Sequence, residues 1–318
     1  MTSLMSDKTK RDGFLVAIDG GGTKTEICVL NLADGSIGTE VLGSANYKSS
    51  DEKTAAQNIL DGFNRALAAH GVSAAQVRGA VFGIAGCDTE SDLDFYRQTI
   101  ASLGLPRERT YVCNDSEMTL LAAVDEGICV VAGTGSIASG VRADSRKKRA
   151  GGWGAPMSDE GSGWWIANEV FKRYLRWSDG VDTEEQPYFE RITQQVGDGD
   201  RARAVARIAQ MTTSEAASYA RDIMQRALLA ERPCAEVVTE AAYHIAEIIA
   251  CVHRALGFEE KESVCVATVG SLFNDVSFRD AVSGALGERF GIYNTEFFKA
   301  ADTPAGCGLE LAKKLFLD

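Results

Sequence analysis

The chain has 318 residues, 45% of them hydrophobic and 25% charged, a balance that supports packed cores and lies outside the range of disordered chains. The 33 Lys and Arg against 45 Asp and Glu leave a formal net charge of −12, which argues against nucleic acid or an anionic membrane surface as the main partner. The length favours two domains.

The leading segment MTSLMSDKTKRDG carries charge with no apolar run behind it, so it reads as neither a signal peptide nor an anchor. The longest uncharged apolar run, Gly127 to Val141, is broken by glycines and falls short of the ~20 residues of a membrane-spanning helix. A cytoplasmic protein is expected. Period-2 patterning makes Phe14 to Ile18 and Glu26 to Leu32 a strand pair around the glycine turn DGGGTKT, with Ile37 to Leu42 as a third strand. A helix is expected from about Asp51 to His70, with Ser49 and Glu52 as a capping box, Ile59, Phe63 and Leu67 on its buried face and Gly71 as its stop. The strand Ala80 to Ile84, the helix Ser91 to Leu103, the strand Thr110 to Cys113 and the helix Glu117 to Glu126 then alternate, as parallel strands with crossover helices do.

At Ile128 the pattern restarts. Strand Ile128 to Ala132, glycine turn GTGS and return strand Ile137 to Arg142 echo the opening hairpin, which suggests two related domains each presenting one glycine turn. The basic stretch Arg142 to Arg149 reads as a solvated turn. From Trp164 to Leu256 the text is mostly helical, with amphipathic segments Ala202 to Met211, Ser214 to Ala230 and Ala235 to Leu256 forming an insert. A strand returns at Val264 to Val269, followed by Gly270-Ser271, a helix near Ser277 to Arg289 and a last helix, Pro304 to Phe316, opened by proline in its first turn.

The cysteines contain no C-x-x-C pair, the two nearest being Cys251 and Cys265, so neither zinc nor a redox pair is expected. In runs such as Ile128-Cys129-Val130 a thiol serves as a small buried hydrophobe. His70, His244 and His253 form no metal triad.

Two glycine turns between strands supply clusters of backbone amides with no side chain in the way, which suits a phosphate chain. The first is not a Walker A loop, because it lacks the required spacing and returns into a strand. Gly133, Gly135 and Ala138 satisfy G-x-G-x-x-A, but a strand follows where a dinucleotide fold needs a helix. Asp19 and Asp115 end strands at the carboxyl edge of the first sheet, where α/β proteins place ligands. One such carboxylate suits Mg²⁺ held through water and another suits a general base, with a helix N-cap as the alternative for either. The segment GGWGAPMSDEGSGWWIA, Gly151 to Ala167, joins Asp159 and Glu160 to Trp153, Trp164 and Trp165. That composition fits a carbohydrate site; acids at a helix N-terminus are the electrostatic alternative, and Trp164 and Trp165 read as core.

The order DGGGTKT, GSAN, GIAGCD, CNDSEMTLLAA, VVAGTGSIA, GGWGAPMSDEGSGWWIA, VATVGSLF and AADTPAGCGLELA resembles the BadF/BadG/BcrA/BcrD-type ATPase family, and within it the N-acetylglucosamine and glucosamine kinases of the actin, hexokinase and heat-shock chaperone superfamily. The resemblance implies an α/β fold of two ribonuclease-H-like domains around a central ATP cleft, the second carrying the helical insert. The first domain would span 1–118 and be completed by 303–318; the second would span 119–302. It implies Gly21, Gly22, Thr23 and Thr25 as the first phosphate turn, Gly133, Thr134 and Gly135 as the second, and Gly270-Ser271 at the adenosine. Asp115 is similar to the family's catalytic base, Asn46 and Asp159 fall where sugar hydroxyls are held, and Asp19 would face Mg²⁺. The expected activity is ATP-dependent phosphorylation of the 6-hydroxyl of an amino sugar by a homodimer. A non-catalytic sugar sensor and a dehydratase activator with a cysteine-held cluster are the alternatives.

Overall fold

The computed structural model describes residues 12–184, 186–259, 261–300 and 303–317; the leading segment before residue 12 lies outside them. The chain forms two compact units, Met1–Glu126 with Ala300–Asp318, and Gly127–Lys299. The boundary expected after residue 118 falls inside a helix, α3 (Asp115–Ala123), which stays with the first unit.

In the first unit β1 (Phe14–Gly20), β2 (Lys24–Asn31), β3 (Ile37–Gly43), β4 (Val77–Ile84) and β5 (Thr110–Cys113) form a sheet in the order β3-β2-β1-β4-β5. β1 runs antiparallel to β2 and parallel to β4, which pairs in parallel with β5. Helices α1 (Glu52–Ala69) and α2 (Glu90–Ala101) make the crossovers. The buried residues Ile59, Phe63 and Leu67 of α1 pack with Val16, Ile18 and Phe82 of the sheet. The terminal helix α11 (Pro304–Phe316) covers the opposite face beside α3, setting Leu309 and Leu311 against Leu15, Ala17 and Met118.

The second unit repeats this plan. Strands β6 (Gly127–Ala132), β7 (Ser136–Val141), β8 (Lys147–Gly151), β9 (Val264–Val269) and β10 (Thr295–Lys299) stand in the order β8-β7-β6-β9-β10, antiparallel on one side of β6 and parallel on the other. The echo between the glycine hairpins therefore extends to whole mixed sheets. Between β8 and β9 run α4 (Gly163–Ser178), α5 (Pro187–Gly197), α6 (Arg201–Ile208), α7 (Thr213–Ser218), α8 (Ala220–Leu228) and α9 (Arg232–Leu256). α10 (Val276–Phe290) connects β9 to β10.

Two local expectations are corrected. Asp51, not Ser49, caps α1 by accepting from the Thr54 amide at 2.9 Å, while the Ser49 hydroxyl donates to Gly22 O and Asn46 O. The basic stretch is a turn only as far as Arg146, after which Lys147–Gly151 is an edge strand. Among the described residues no helix is long and apolar enough to cross a membrane.

Candidate functional site

Each unit carries part of the expected chemistry. In the first, β1 and β2 pair as far as Gly20 and Thr25, so Gly21 to Thr23 form the turn, closed by the Gly21 amide on Lys24 O at 2.9 Å. The amides of exposed Gly22 and Thr23 have no protein acceptor among the described residues. Ser44 and Ser49 hydroxyls donate to Gly21 O and Gly22 O, each at 3.1 Å, and fix the turn against the loop that holds Asn46. Thr25 is fully buried and its hydroxyl donates to Gly43 O at 2.7 Å. It therefore buttresses the turn from β3, and its hydroxyl proton does not face a ligand.

Asp19 lies one residue before the end of β1, opposite Glu26. Burial first, then the charges of Asp115 and Glu26, push its carboxyl from 3.8 to about 6, with Lys24 opposing. Asp115 is the first residue of α3 rather than the last of a strand, and Asn114 is the N-cap, its Oδ1 accepting from the Ser116 amide. Burial pushes the Asp115 carboxyl up; the Ser116 amide opposes this and the charge of Asp88 adds to it. Asp19 is thus held among acidic charges, those of Asp115 and Glu26, with Lys24 as the opposing cation. An acidic position of this kind fits a divalent cation on Asp19. Among the described residues no group of three or more His, Cys, Asp or Glu has metal-holding geometry, so most of a cation's remaining ligands would be water and phosphate.

Asn46 accepts from the Lys48 amide at 2.9 Å through Oδ1, and its carbonyl takes the amides of Ser49 and Ser50. Its Nδ2 has no acceptor among the described residues. The loop after β4 closes upon it at Gly86, whose φ is +83 and where a Cβ would lie 2.8 Å from Asn46 Oδ1. Gly86 and Asp88 both belong to this site, and the pattern reading gave them no role. GIAGCD followed by a helix was the available signal.

In the second unit Gly133 to Gly135 join β6 to β7, with the Gly133 amide on Gly135 O at 3.0 Å. The first amides of α4 hold the turn from behind, Gly163 N on Gly133 O at 2.7 Å and Trp164 N on Thr134 O at 3.2 Å. This leaves the amides of Thr134 and Gly135 without a protein acceptor among the described residues. Gly270 approaches the same turn so closely that its Cα is 3.9 Å from where a Cβ on Gly133 would stand. Beside them opens a cavity of about 960 Å³, lined by Gly133, Thr134 and Ser271 and by the apolar side chains of Met224, Leu228 and Leu272. Turn amides and apolar side chains around one cavity suit a polyphosphate joined to a flat base.

Asp159 is buried, has a left-handed backbone with φ 73, and stands so near the turn that a Cβ on Gly135 would meet its Oδ2 at 2.7 Å. Burial raises its carboxyl, opposed by the Gly154 and Ser136 amides; Glu160 raises it and Arg149 lowers it. Trp165 is buried in the core with Trp164 packed on it, whereas Trp153 is exposed beneath the Arg149 guanidinium at 4.1 Å. No disulfide joins any of the eight cysteines, six of which are buried.

The profile of the BadF/BadG/BcrA/BcrD ATPase family matches residues 16–296. A curated Clostridium acetobutylicum protein named N-acetylmuramic acid/N-acetylglucosamine kinase is 28% identical over 270 residues, covering 83% of this chain and 87% of its own. A Chromobacterium violaceum structure provisionally named an N-acetylglucosamine kinase superposes with a TM-score of 0.64 at 23% identity, over 95% of this chain and 99% of the other. A ROK family transcriptional regulator, described as a homologue of the Escherichia coli MLC protein, gives 0.60 at 12% identity over 96% and 78%.

Proposed function

Because the chain belongs to the BadF/BadG/BcrA/BcrD ATPase family, we propose that it is an ATP-dependent kinase that phosphorylates the 6-hydroxyl of an amino sugar, N-acetylglucosamine or glucosamine. The observation that carries this reading is Asp115, a carboxylate raised by burial at the start of α3, beside Asp19 and next to a loop that leaves Asn46 Nδ2 open. A raised carboxylate is a stronger base, closer to the pH at which it must accept a hydroxyl proton. A regulator has no need of such a base, which is why the likeness to a transcriptional regulator does not favour a sensor.

In the first unit the amides of Gly22 and Thr23, on a turn shaped by Gly21, would serve phosphate; in the second unit those of Thr134 and Gly135 would do so, with Gly270 and Ser271 as the residues for the nucleoside. These amides stabilise charge on the transferring group without reorganising during the step. Asp19 is the residue that would hold Mg²⁺, through water, and the ion would supply neutralisation of phosphate charge. In the first unit Asn46 would donate to a sugar hydroxyl and Asp115 would take the proton of the attacking hydroxyl; in the second unit Asp159 orders its own glycine turn and is the residue that would accept from a sugar hydroxyl. Thr25 supports the first turn from behind. We place the enzyme in the cytoplasm, where ATP is available.

An ADP-release screen over glucose, glucosamine, N-acetylglucosamine, N-acetylmannosamine and N-acetylmuramic acid tests the reading. Sugar-dependent ADP release with an amino sugar supports it. Sugar binding without ADP release would make the protein a sensor.

A further inference from the structure

The loop after β3 and the loop after β4 are tied to the start of α3 through one side chain. Asp88 accepts from Asn114 Nδ2 at 3.0 Å through Oδ1, and its Oδ2 lies 3.3 Å from Lys48 Nζ. Asn114 Oδ1 in turn accepts from the Ser116 amide at 2.9 Å and the Ser116 hydroxyl at 2.6 Å. Both ends of the Asn114 amide are therefore engaged, and its plane is set by Asp88 on one side and by α3 on the other. The Lys48 amide donates to Asn46 Oδ1, so the residue assigned to the sugar and the residue assigned to the base lie on one bonded path.

We propose that Asp88 is a positioning residue of the phosphoryl transfer, holding Asn114 and through it the first turn of α3, so that the Asp115 carboxylate keeps its place relative to Asn46. The inference rests on the kinase reading, which makes Asp115 the base. α3 spans only Asp115–Ala123, so its cap governs much of its N-terminal geometry. A neutral acceptor at position 88 would satisfy Asn114 equally well. The carboxylate adds a charge that Lys48 only partly cancels, because Lys48 Nζ is shared with Asp92 Oδ2 at 2.9 Å and with Gly86 O.

That residual charge acts on Asp115, and the charge of Asp115 in turn acts on Asp19 of β1, which has Glu26 opposite on β2. β4 contributes only Arg78, at its far end, and α11 brings Lys314 to Leu121 O and Val124 O at the other end of α3, where it pairs with Asp125.

The test compares Asp88→Ala, Asp88→Asn and Asn114→Ala by kcat, sugar KM, pH profile and melting temperature. Asp88→Ala and Asn114→Ala should each lower kcat by about tenfold or more, since small misplacements at the reacting centre can cost ~10²-fold, with sugar KM within about threefold. The double variant should be no slower than the slower single, because both act through one link. Asp88→Asn keeps an acceptor for Asn114, so its kcat should return to within a few-fold of the parent, while the acid limb moves to lower pH as the charge opposing Asp115 ionisation is lost. If Asp88→Ala fails to fold, the direction of the Asp88→Asn limb decides. A changed KM with unchanged kcat, or an unmoved acid limb, overturns the inference. Normal turnover by Asp115→Asn sinks the kinase reading of the base instead, so the two failures are distinct.

Discussion

Gly270→Ala probes the second glycine turn with a change of one methyl group. Gly270 has φ 101 and ψ 164, a region essentially reserved to glycine, where a residue with a Cβ is strained by roughly 1–3 kcal/mol. A Cβ there would lie 2.3 Å from Ala132 O, 2.6 Å from Ala132 C and 3.0 Å from Gly133 N. All three are backbone atoms at the end of β6 and the start of its turn, so no side chain can rotate away, and relief requires the turn or the 270–271 loop to shift. We therefore expect ATP and ADP affinity to fall at least tenfold, about 1.4 kcal/mol, and the melting temperature to drop by ~2–4 °C per kcal/mol of strain. Gly284→Ala is the control. Gly284 is exposed on α10 with nothing within 4 Å of its added Cβ, and alanine there should raise stability by ~0.5–1 kcal/mol and leave affinity unchanged. Isothermal titration without sugar and thermal melts with and without nucleotide read both variants. Parental ATP affinity in folded Gly270→Ala would refute the assignment of this turn and loop to one nucleotide surface.

Asp115→Asn should retain ATP and sugar binding and lose ~10²–10⁴-fold in kcat, read by coupled ADP release. Asp19 carries a pKa of about 6 in the fold against 3.8 unfolded, so its charged form costs stability above that window and protonation relieves the cost as pH falls. Asp19→Asn should therefore melt higher than the parent at pH 8, lose that advantage as pH drops through 6 towards 4, and lose Mg²⁺-dependent turnover; an unchanged melting difference across that range would show that Asp19 is not strained. Chelation of Mg²⁺ should stop phosphorylation, while sustained thiol reduction should not, and an iron–sulfur absorbance band in anaerobically purified protein would contradict the second expectation. Among sugars, glucosamine and N-acetylglucosamine should differ less in kcat/KM than either differs from its galacto epimer, because an unpaired buried polar group costs more than an acetyl contact worth ~1–3 kcal/mol; efficient use of galactosamine would show that Asn46 and Asp159 are wrongly placed.

Elements bounded by strong breakers were legible to the residue. Thr110–Cys113, Val264–Val269 and Pro304–Phe316 lie where apolar periodicity placed them, since proline, glycine and charge delimit each run. The two edge strands of the second sheet were not. Lys147–Gly151 and Thr295–Lys299 sit at the two ends of the second sheet, and an edge strand with one unpaired side tolerates charge, which erases the apolar signal used to find it. The stretch Ser214 to Ala230 keeps one helical period yet divides at Tyr219 into α7 and α8, a small offset that periodicity averages over.

The site follows the same division between local and distant information. Glycine turns are visible because the backbone conformation they need is written in the turn itself. The capping at Asn114 is local as well, yet the run CNDS offers three capping residue types in succession, and only the packing of α3 decides that Asn114 caps and Asp115 enters the helix. Thr25 could not be separated from its neighbours in DGGGTKT until β3 placed Gly43 O beside it. Asp88 is the extreme case, since its partners Lys48 and Asn114 lie 40 and 26 positions away and no period relates them. A residue whose work is done entirely across such separations leaves no pattern in a single sequence. It becomes readable only when the loops after β3 and β4 and the start of α3 converge, which is the same convergence that brings the charge of Asp115 to bear on Asp19.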